Sequence, residues 1–276
     1  MRTNGLLLAV LLAATLAGCG QDAAPAAPGP TARAPARPPK AAPRTDVAAV
    51  AARADVPVLC YHQVRPVTAA DGPAARPLII TPAGLERHMR ALAHAGYHPV
   101  TGDAVLAHVA RGAPLPRKPV LITFDDASAG QYTNALPILR RHHFVATFFV
   151  MTVVLDKPNW LSRRQVRALD RAGMTIAGHT YDHYPVPGYK GADWRTQLDR
   201  PKRELTRIVG HPVPLFAYPY GSKSRQAVPH LRSAGFKGAF QLDQKLDRRN
   251  PVWTIRRILV PEWTGPQLLR EIRQNF

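Results

Sequence analysis

The stretch Pro119-Val120-Leu121-Ile122-Thr123-Phe124-Asp125-Asp126 carries the first decision about the fold. From Pro119 to Phe124 it is apolar at nearly every position, without the polar alternation of a half-exposed strand. A run of this length and character suits a strand buried on both faces, as in a parallel sheet covered by helices. It then ends abruptly in two adjacent carboxylates. Working outward, the same theme recurs on both sides. Upstream, Val56-Pro57-Val58-Leu59-Cys60-Tyr61 predicts a buried strand over Val58–Tyr61, closed by His62 and followed by a long loop to Pro77. Thr81 and Pro82 form an N-cap and first helical position, with Leu85, Met89 and Leu92 on one face and Gly96 closing the helix. A shorter helix is predicted from Asp103 to Ala110, ending near Gly112.

Downstream, Tyr132–His142 reads as helix with Pro137 inside it, and His143–Val150 as strand. Ser162 caps a helix from Arg163 to Ala172, and Thr175–Ala177 is a strand. A helical stretch from Trp194 to Val209, with an interruption at Pro201, precedes a strand over Leu215–Tyr218. Ser224–Ala234 as helix, Lys237–Gln241 and Ile255–Val260 as strands, and a last helix from Gly265 complete the alternation. Strand and helix in regular succession argue for a parallel sheet, closed or nearly closed.

Three polar clusters fall at or just past the carboxyl ends of these strands: Asp125-Asp126, His179 to His183, and Tyr218 to Gly221. In a β/α barrel such ends converge on one rim, so distant segments can share a site. Two carboxylates side by side repel, and a cation is the natural compensation. His179 and His183, four apart, would face one ion if Thr180–His183 formed a helical turn. With Asp126 they make a two-histidine, one-carboxylate set, leaving Asp125 free to take a proton. Read alone, the Asp pair is equally an ordinary cap, and the His pair is more often a surface feature.

Five stretches taken together resemble the polysaccharide deacetylase family, the group that shares the NodB homology domain (carbohydrate esterase family 4). They are Val58-Leu59-Cys60-Tyr61-His62, Thr123-Phe124-Asp125-Asp126, Ala146-Thr147-Phe148-Phe149, His179-Thr180-Tyr181-Asp182-His183 and Phe216-Ala217-Tyr218-Pro219-Tyr220-Gly221. The resemblance implies an α/β fold, a distorted (β/α)7 barrel. It implies Asp125 as general base, Asp126, His179 and His183 as ligands of one divalent metal ion, and the Tyr220 backbone N–H as oxyanion donor. Zinc is the first expectation for the metal, with nickel, cobalt or iron as alternatives. His62, at the end of the first strand, is a candidate for substrate contact or proton transfer. The implied reaction is metal-dependent hydrolysis of N-acetyl groups from an envelope or biofilm amino-sugar polysaccharide. The Phe-Ala-Tyr-Pro-Tyr-Gly form is similar to the poly-β-1,6-N-acetylglucosamine deacetylase branch.

The chain departs from the family pattern in three places. Ala127 stands where glycine is common, and is tolerable unless φ must be positive. Ala217 stands where many members carry an arginine that orients the base. The family's late Leu-x-x-His, whose histidine is the general acid, has no counterpart. The corresponding stretch is Ile255-Arg256-Arg257-Ile258, and no histidine follows His230. Either another group protonates the leaving amine, with His62 and the protonated Asp125 as candidates, or turnover is slow. These departures keep other readings open: an O-acetyl or acetyl-xylan esterase, a peptidoglycan or chitin oligosaccharide deacetylase, or a catalytically weak glycan-binding lipoprotein.

Before the folded part, Leu6–Leu16 is apolar but too short to span a bilayer, and Leu16-Ala17-Gly18-Cys19 resembles a bacterial lipobox. Residues 1–18 are expected to be a signal peptide and Cys19 the lipidated residue. Residues 19–54, rich in Ala and Pro, are expected to form a tether, helical near its end, and 55–276 the catalytic domain. This predicts an exported monomer anchored by lipid to the membrane, at the periplasmic face of the outer membrane. Cys60, the second of two cysteines, is expected to be a small buried hydrophobe. The formal charge of +19 is spread along the chain without a nucleic-acid-binding motif. Anionic envelope material is therefore the expected counterpart, and nucleic acid is not.

Overall fold

The computed structural model describes residues 47–276. The expected signal peptide, Cys19 and the expected tether up to residue 46 lie outside the described residues. Seven of the apolar runs pair as parallel strands: β1 (Val58–Tyr61), β2 (Pro119–Asp125), β3 (Ala146–Val150), β4 (Thr175–Gly178), β5 (Leu215–Ala217), β6 (Gly238–Phe240) and β7 (Ile258–Leu259). Their order is β7-β1-β2-β3-β4-β5-β6, so every neighbour except β7 is also the neighbour in sequence. A sheet wound in this way curls on itself. Its two ends meet through one segment: Ile255 bridges Phe240 in β6, while Ile258 and Leu259 pair with Leu59 and Cys60 in β1. The result is the distorted, curled parallel barrel of a (β/α) fold.

Period-2 alternation assigns the two faces. Val120, Ile122 and Phe124 of β2, with Ala146 and Phe148 of β3, pack outward against Leu85, Met89, Leu139, Val166, Leu205 and Leu268. These come from α2 (Pro82–His94), α4 (Leu136–Arg141), α5 (Arg163–Arg171), α6 (Arg200–Val209) and α8 (Gly265–Asn275). Leu121, Phe149, Ala177, Leu215 and Phe240 point the other way and fill the interior with Val105 of α3 (Gly102–Arg111). Asp125 is four residues after Leu121 on β2 and is therefore delivered to that inner face at the strand's end.

The caps follow the sequence. Thr81, Thr101, Ser162 and Thr264 each accept a backbone N–H at a helix start, and Gly112 ends α3 with φ 73°. Two long helices begin differently from expectation. Wide five-residue turns, Gln131–Ala135 and Arg195–Asp199, precede α4 and α6, just before Pro137 and Pro201. A proline has no N–H to give the preceding turn, and a widened turn is one way the chain accommodates it. The next helix, α7, is shorter than expected (Ala227–Ser233), and of Ile255–Val260 only Ile258–Leu259 pairs as regular strand.

The tether assignment needs one correction. Its last residues do form a helix, α1 (Val47–Arg53), but this helix is part of the folded unit. Val50 and Ala54 are buried in the inner cluster, and Arg53 Nε donates to the His108 and Val109 carbonyls at the end of α3.

A buried latch joins β1 to the helices outside it. The Tyr61 side chain, fully buried, places its hydroxyl 3.1 Å from His88 Nδ1, and His88 Nε2 lies 2.7 Å from the Trp263 carbonyl oxygen. A carbonyl only accepts, so Nε2 carries the proton and Nδ1 accepts from Tyr61: a neutral imidazole satisfied on both sides. Burial depresses the His88 pKa below 6.5, outweighing the pull of the Trp263 carbonyl. A histidine with a lowered native pKa contributes stability above 6.5 that drains away as pH falls through the window below it. His88→Leu is expected to cost about 1–3 kcal/mol at pH 8 by leaving the Tyr61 hydroxyl and Trp263 carbonyl unpaired. Urea unfolding at pH 8 and pH 5.5 should show the gap between wild type and H88L narrowing at the lower pH. A gap that stays constant would mean that His88 does not titrate with folding.

Candidate metal centre and active site

The site is assembled from four strand ends. Asp125 is the last residue of β2 and Asp126 the first beyond it. His179 follows β4, His183 lies four residues on, Tyr220 follows β5, and His62 follows β1. The chain turns sharply at each cluster. Asp126, Ala127, Thr180, His183 and Tyr220 all have φ between 58° and 75°, a region costly for residues with a Cβ. Ala127 therefore does occupy a positive-φ position, at φ 74°, where glycine would be unstrained. Such strain concentrates at functional sites, where surrounding structure holds it in place.

His179 Nε2 and His183 Nε2 each lie 3.4 Å from Asp126 Oδ1. The three candidate ligand atoms all fall within 4.8 Å of one another. Donors about 2.0–2.1 Å from a tetrahedral ion stand roughly 3.4 Å apart, so the spacing fits a single divalent cation. His179 Nε2 and Asp126 Oδ1 are moreover buried without a hydrogen-bond partner, the state expected of atoms awaiting a ligand. The His179 ring is fixed by its other nitrogen: Nδ1 lies 2.9 Å from the Ala217 carbonyl oxygen and must donate to it, leaving Nε2 with a lone pair. The expected helical turn at Thr180–His183 is not what aligns the histidines. The Thr180 hydroxyl accepts from the His183 N–H at 3.0 Å, and the two positive φ values swing both rings onto Asp126.

Asp125 sits beside this triad, with Oδ2 3.8 Å from His179 Nε2. Its partner is Arg257, which sequence reasoning missed. Arg257 Nη1 and Nη2 donate to Oδ1 and Oδ2 at 2.6 and 2.7 Å, a two-pronged pair between groups 0% and 2% exposed. Burial alone would raise the Asp125 pKa; the Arg257 charge, then His179, and the Arg257 hydrogen bonds overcome it and hold the carboxyl well below the usual range. Arg257 also donates to Thr123 Oγ1 and the Gln241 carbonyl, and its guanidinium lies 5.0 Å from the centre of the Phe149 ring. The signal was present in Arg256-Arg257 within an otherwise apolar segment. In extended chain one of two consecutive residues must face inward, and a buried guanidinium requires a carboxylate.

His62 is buried, with Nδ1 lacking a hydrogen-bond partner, and it clusters with Asp125 and Cys60. Burial lowers its pKa, against the pull of Asp125 and Asp126. Cys60 is buried as expected, but its thiol also reaches Asp125 Oδ2 at 3.5 Å; burial pushes its pKa up, keeping it a thiol. Tyr220 projects its ring into solvent at 62% exposure, 4.4 Å from the His183 ring in an edge contact. Its N–H makes no hydrogen bond among the described residues. The two wide turns each supply a buried glutamine. Gln131 Nε2 donates to the Asp125 and His62 carbonyls, and Gln197 binds the Tyr181 N–H and Asp182 carboxylate between the two histidines.

Residues 112–239 match the family model described as polysaccharide deacetylase. The chain is 24% identical to YxkH of Bacillus subtilis (strain 168) over 184 residues, 67% of this chain and 63% of that one. It is 27% identical to a poly-β-1,6-N-acetyl-D-glucosamine N-deacetylase of Staphylococcus aureus (strain MSSA476) over 170 residues, 56% of this chain and 59% of that one. The chain thus spans 59–63% of the length of these curated relatives. Its fold is that of the Streptococcus pyogenes deacetylase PplD solved with acetate, with a TM-score of 0.72 at 21% identity over 79% of this chain and 97% of that one. Residues 112–239, a little under half of the chain, are thus similar to the polysaccharide deacetylase family, and the curled barrel and the candidate metal-ligand triad agree with that likeness.

Proposed function

We propose that the chain hydrolyses N-acetyl groups from a poly-N-acetylglucosamine-like envelope or biofilm polysaccharide. The observation that carries this reading is the pairing of an open two-histidine, one-carboxylate triad with a second carboxylate that is buried, ionised and aimed by Arg257. Asp126, His179 and His183 would hold one divalent ion, zinc being the first candidate. Such an ion supplies Lewis acidity, polarising the acetamide carbonyl and making a water molecule acidic. Asp125 accepts the proton as the water attacks. Arg257 keeps the carboxylate charged and oriented throughout. The Tyr220 N–H donates to the carbonyl oxygen as it gains negative charge. The newly protonated Asp125, or His62 beside it once it has taken up that proton, gives it to the leaving nitrogen as the C–N bond breaks. The products are a free amine on the sugar and acetate.

The amide reading is favoured over an ester reading by the similarity to the Staphylococcus N-deacetylase. Lipidation at Cys19 and residence at the periplasmic face of the outer membrane remain part of the proposal, on the strength of the lipobox-like sequence. A monomer acting directly on polymer is the simplest arrangement for a site open at the barrel rim.

Two measurements test the proposal. Metal analysis of the purified full chain should find about one divalent ion per molecule. H179A and H183A should each lose tight binding; normal occupancy in both would remove the triad as the metal site. Acetate release from N-acetylglucosamine oligomers should fall by about 100-fold or more in D125N, with metal content unchanged, the usual scale for positioned proton transfer. D126N should instead lose metal. Equal activity in wild type and D125N would exclude Asp125 as the base, and release from O-acetylated but not N-acetylated glycans would make the chain an esterase.

A further inference from the structure

A second feature shares the rim with the metal triad and takes no part in the chemistry described so far. Residues 63–65, 68, 71, 128–130, 133–134 and 159 line a cleft of about 560 Å³. All of them lie past the carboxyl ends of β1, β2 and β3, the end of the barrel that carries the triad. Two of its walls grow out of site residues. Gln63 follows His62 directly, and Ser128 stands two positions after Asp126, its hydroxyl donating to the His62 carbonyl at 3.4 Å. The third wall is fastened to these: the Asn159 carbonyl accepts from the Ala129 N–H, and the Leu161 N–H donates to the Ala127 carbonyl, each at 2.9 Å.

The cleft has no net charge, in a chain whose formal charge is +19. Arg65 and Asp71 are its only charged groups, and they satisfy each other. Arg65 Nη1 and Nη2 donate to the two carboxylate oxygens at 2.8 and 2.6 Å. Arg65 Nε donates to Gln63 Oε1, and the Thr68 N–H and hydroxyl both donate to Asp71. What is left for a ligand is neutral. The Gln63 amide nitrogen, the Asn134 side-chain oxygen and the whole Asn159 side chain make no hydrogen bond among the described residues. Three large apolar side chains stand exposed among the described residues, Val67, Tyr184 and Tyr220, and all belong to this rim. Val67 is in the cleft's own loop, Tyr184 follows His183, and the Tyr220 ring contacts the His183 ring. Exposed apolar side chains gathered in one place mark a contact surface. In strand order the cleft flanks the triad toward β1, and Tyr220 flanks it toward β5.

We propose that this cleft is a sugar subsite: it holds a neutral N-acetylated residue next to the one at the metal centre, so that a strand and not a single sugar is the preferred substrate. This rests on the deacetylase reading for the identity of the ligand. A side-chain amide offers a donor and an acceptor together, matching the acetamide and hydroxyl groups of a neutral amino sugar. Gln63, Asn134 and Asn159 come from three different loops and can meet such a sugar at several points. An anionic sugar finds no unpaired cation there, since Arg65 is committed to Asp71. The walls are also set in advance: a Cβ added at Gly130 would collide with the Val64 carbonyl, so the loops after β1 and β2 are already in contact. A preformed cleft loses little freedom when it binds.

The test uses the metal-loaded full chain and β-1,6-linked N-acetylglucosamine oligomers of one to five residues, with acetate release and binding read on each. In wild type kcat/KM should rise about 10-fold or more from the single sugar to the tetramer. Q63M/N159G removes two of the amides while keeping the volume at 63 and placing glycine at the φ of 68° found at 159, so the fold is spared. This variant should lose about 10-fold on the tetramer beyond whatever it loses on the single sugar, through KM and not kcat. A flat length profile in wild type, or a length preference that survives Q63M/N159G, would overturn the proposal. So would an equal loss on the single sugar and the tetramer, the result of a merely structural role. If no oligomer releases acetate, binding decides. A tetramer held tighter than the single sugar by wild type but not by the variant keeps the subsite and fells the deacetylase reading; equal affinities fell both.

Discussion

The buried pair between Arg257 and Asp125 is the constraint around which the site is organised. Both groups are almost completely removed from water, and the cost of that desolvation is recovered only if the geometry is good and every remaining donor is used. Here the geometry is good: two short bonds join the fork to the carboxylate, and two further guanidinium N–H groups reach Thr123 and Gln241. Each of these partners belongs to a different piece of the barrel. Thr123 and Asp125 end β2, Gln241 follows β6, and Arg257 lies between Ile255 and β7 in the segment that bridges the two ends of the sheet. Closing the curl and fixing the Asp125 carboxylate are thus one structural event. The Ala217 carbonyl has a separate task, setting the tautomer of His179.

Around this pair, the loops are held in unfavourable backbone conformations by local hydrogen bonds. Thr180 caps the turn to His183, Gln197 holds the Tyr181 N–H and the Asp182 carboxylate, and Gln131 clamps the carbonyls of Asp125 and His62 together. Both glutamines come from widened turns next to prolines. A regular helix start would rotate each side chain by the angle of a different residue spacing, so the irregularity has a positional use. The exposed Tyr220 ring stands at the edge of this floor, in edge contact with the His183 ring.

Much of the architecture was legible because its causes are local. Apolar runs of strand length, Thr and Ser caps, and glycines after helices located the main elements, and the clusters at strand ends located the site. Asp126, His179 and His183 do meet, although a threonine-capped turn brings them together and not a helical one. What was not legible depends on partners distant in sequence. Arg257 is 132 residues from Asp125, and although Arg256-Arg257 signals a buried guanidinium, nothing near it names the carboxylate it meets. The absent late histidine drew attention to Ile255–Ile258 as a defect, whereas the same stretch supplies Arg257, which holds the Asp125 carboxylate. Residues 47–54 looked like tether because Ala-rich composition says nothing about packing; Val50 finds its place only once α3 exists.

The central claim is that Arg257 and Asp125 act as a unit, and a double-mutant cycle measures this directly. Unfolding free energies of wild type, R257M, D125N and D125N/R257M isolate their coupling, with acetate release read on the same samples. R257M alone strands an ionised carboxylate and is expected to lose about 3–5 kcal/mol; D125N/R257M, with no buried charge left unpaired, should regain much of that loss while remaining inactive. Additive effects of the two substitutions, or an R257M protein as stable and as active as wild type, would contradict the account.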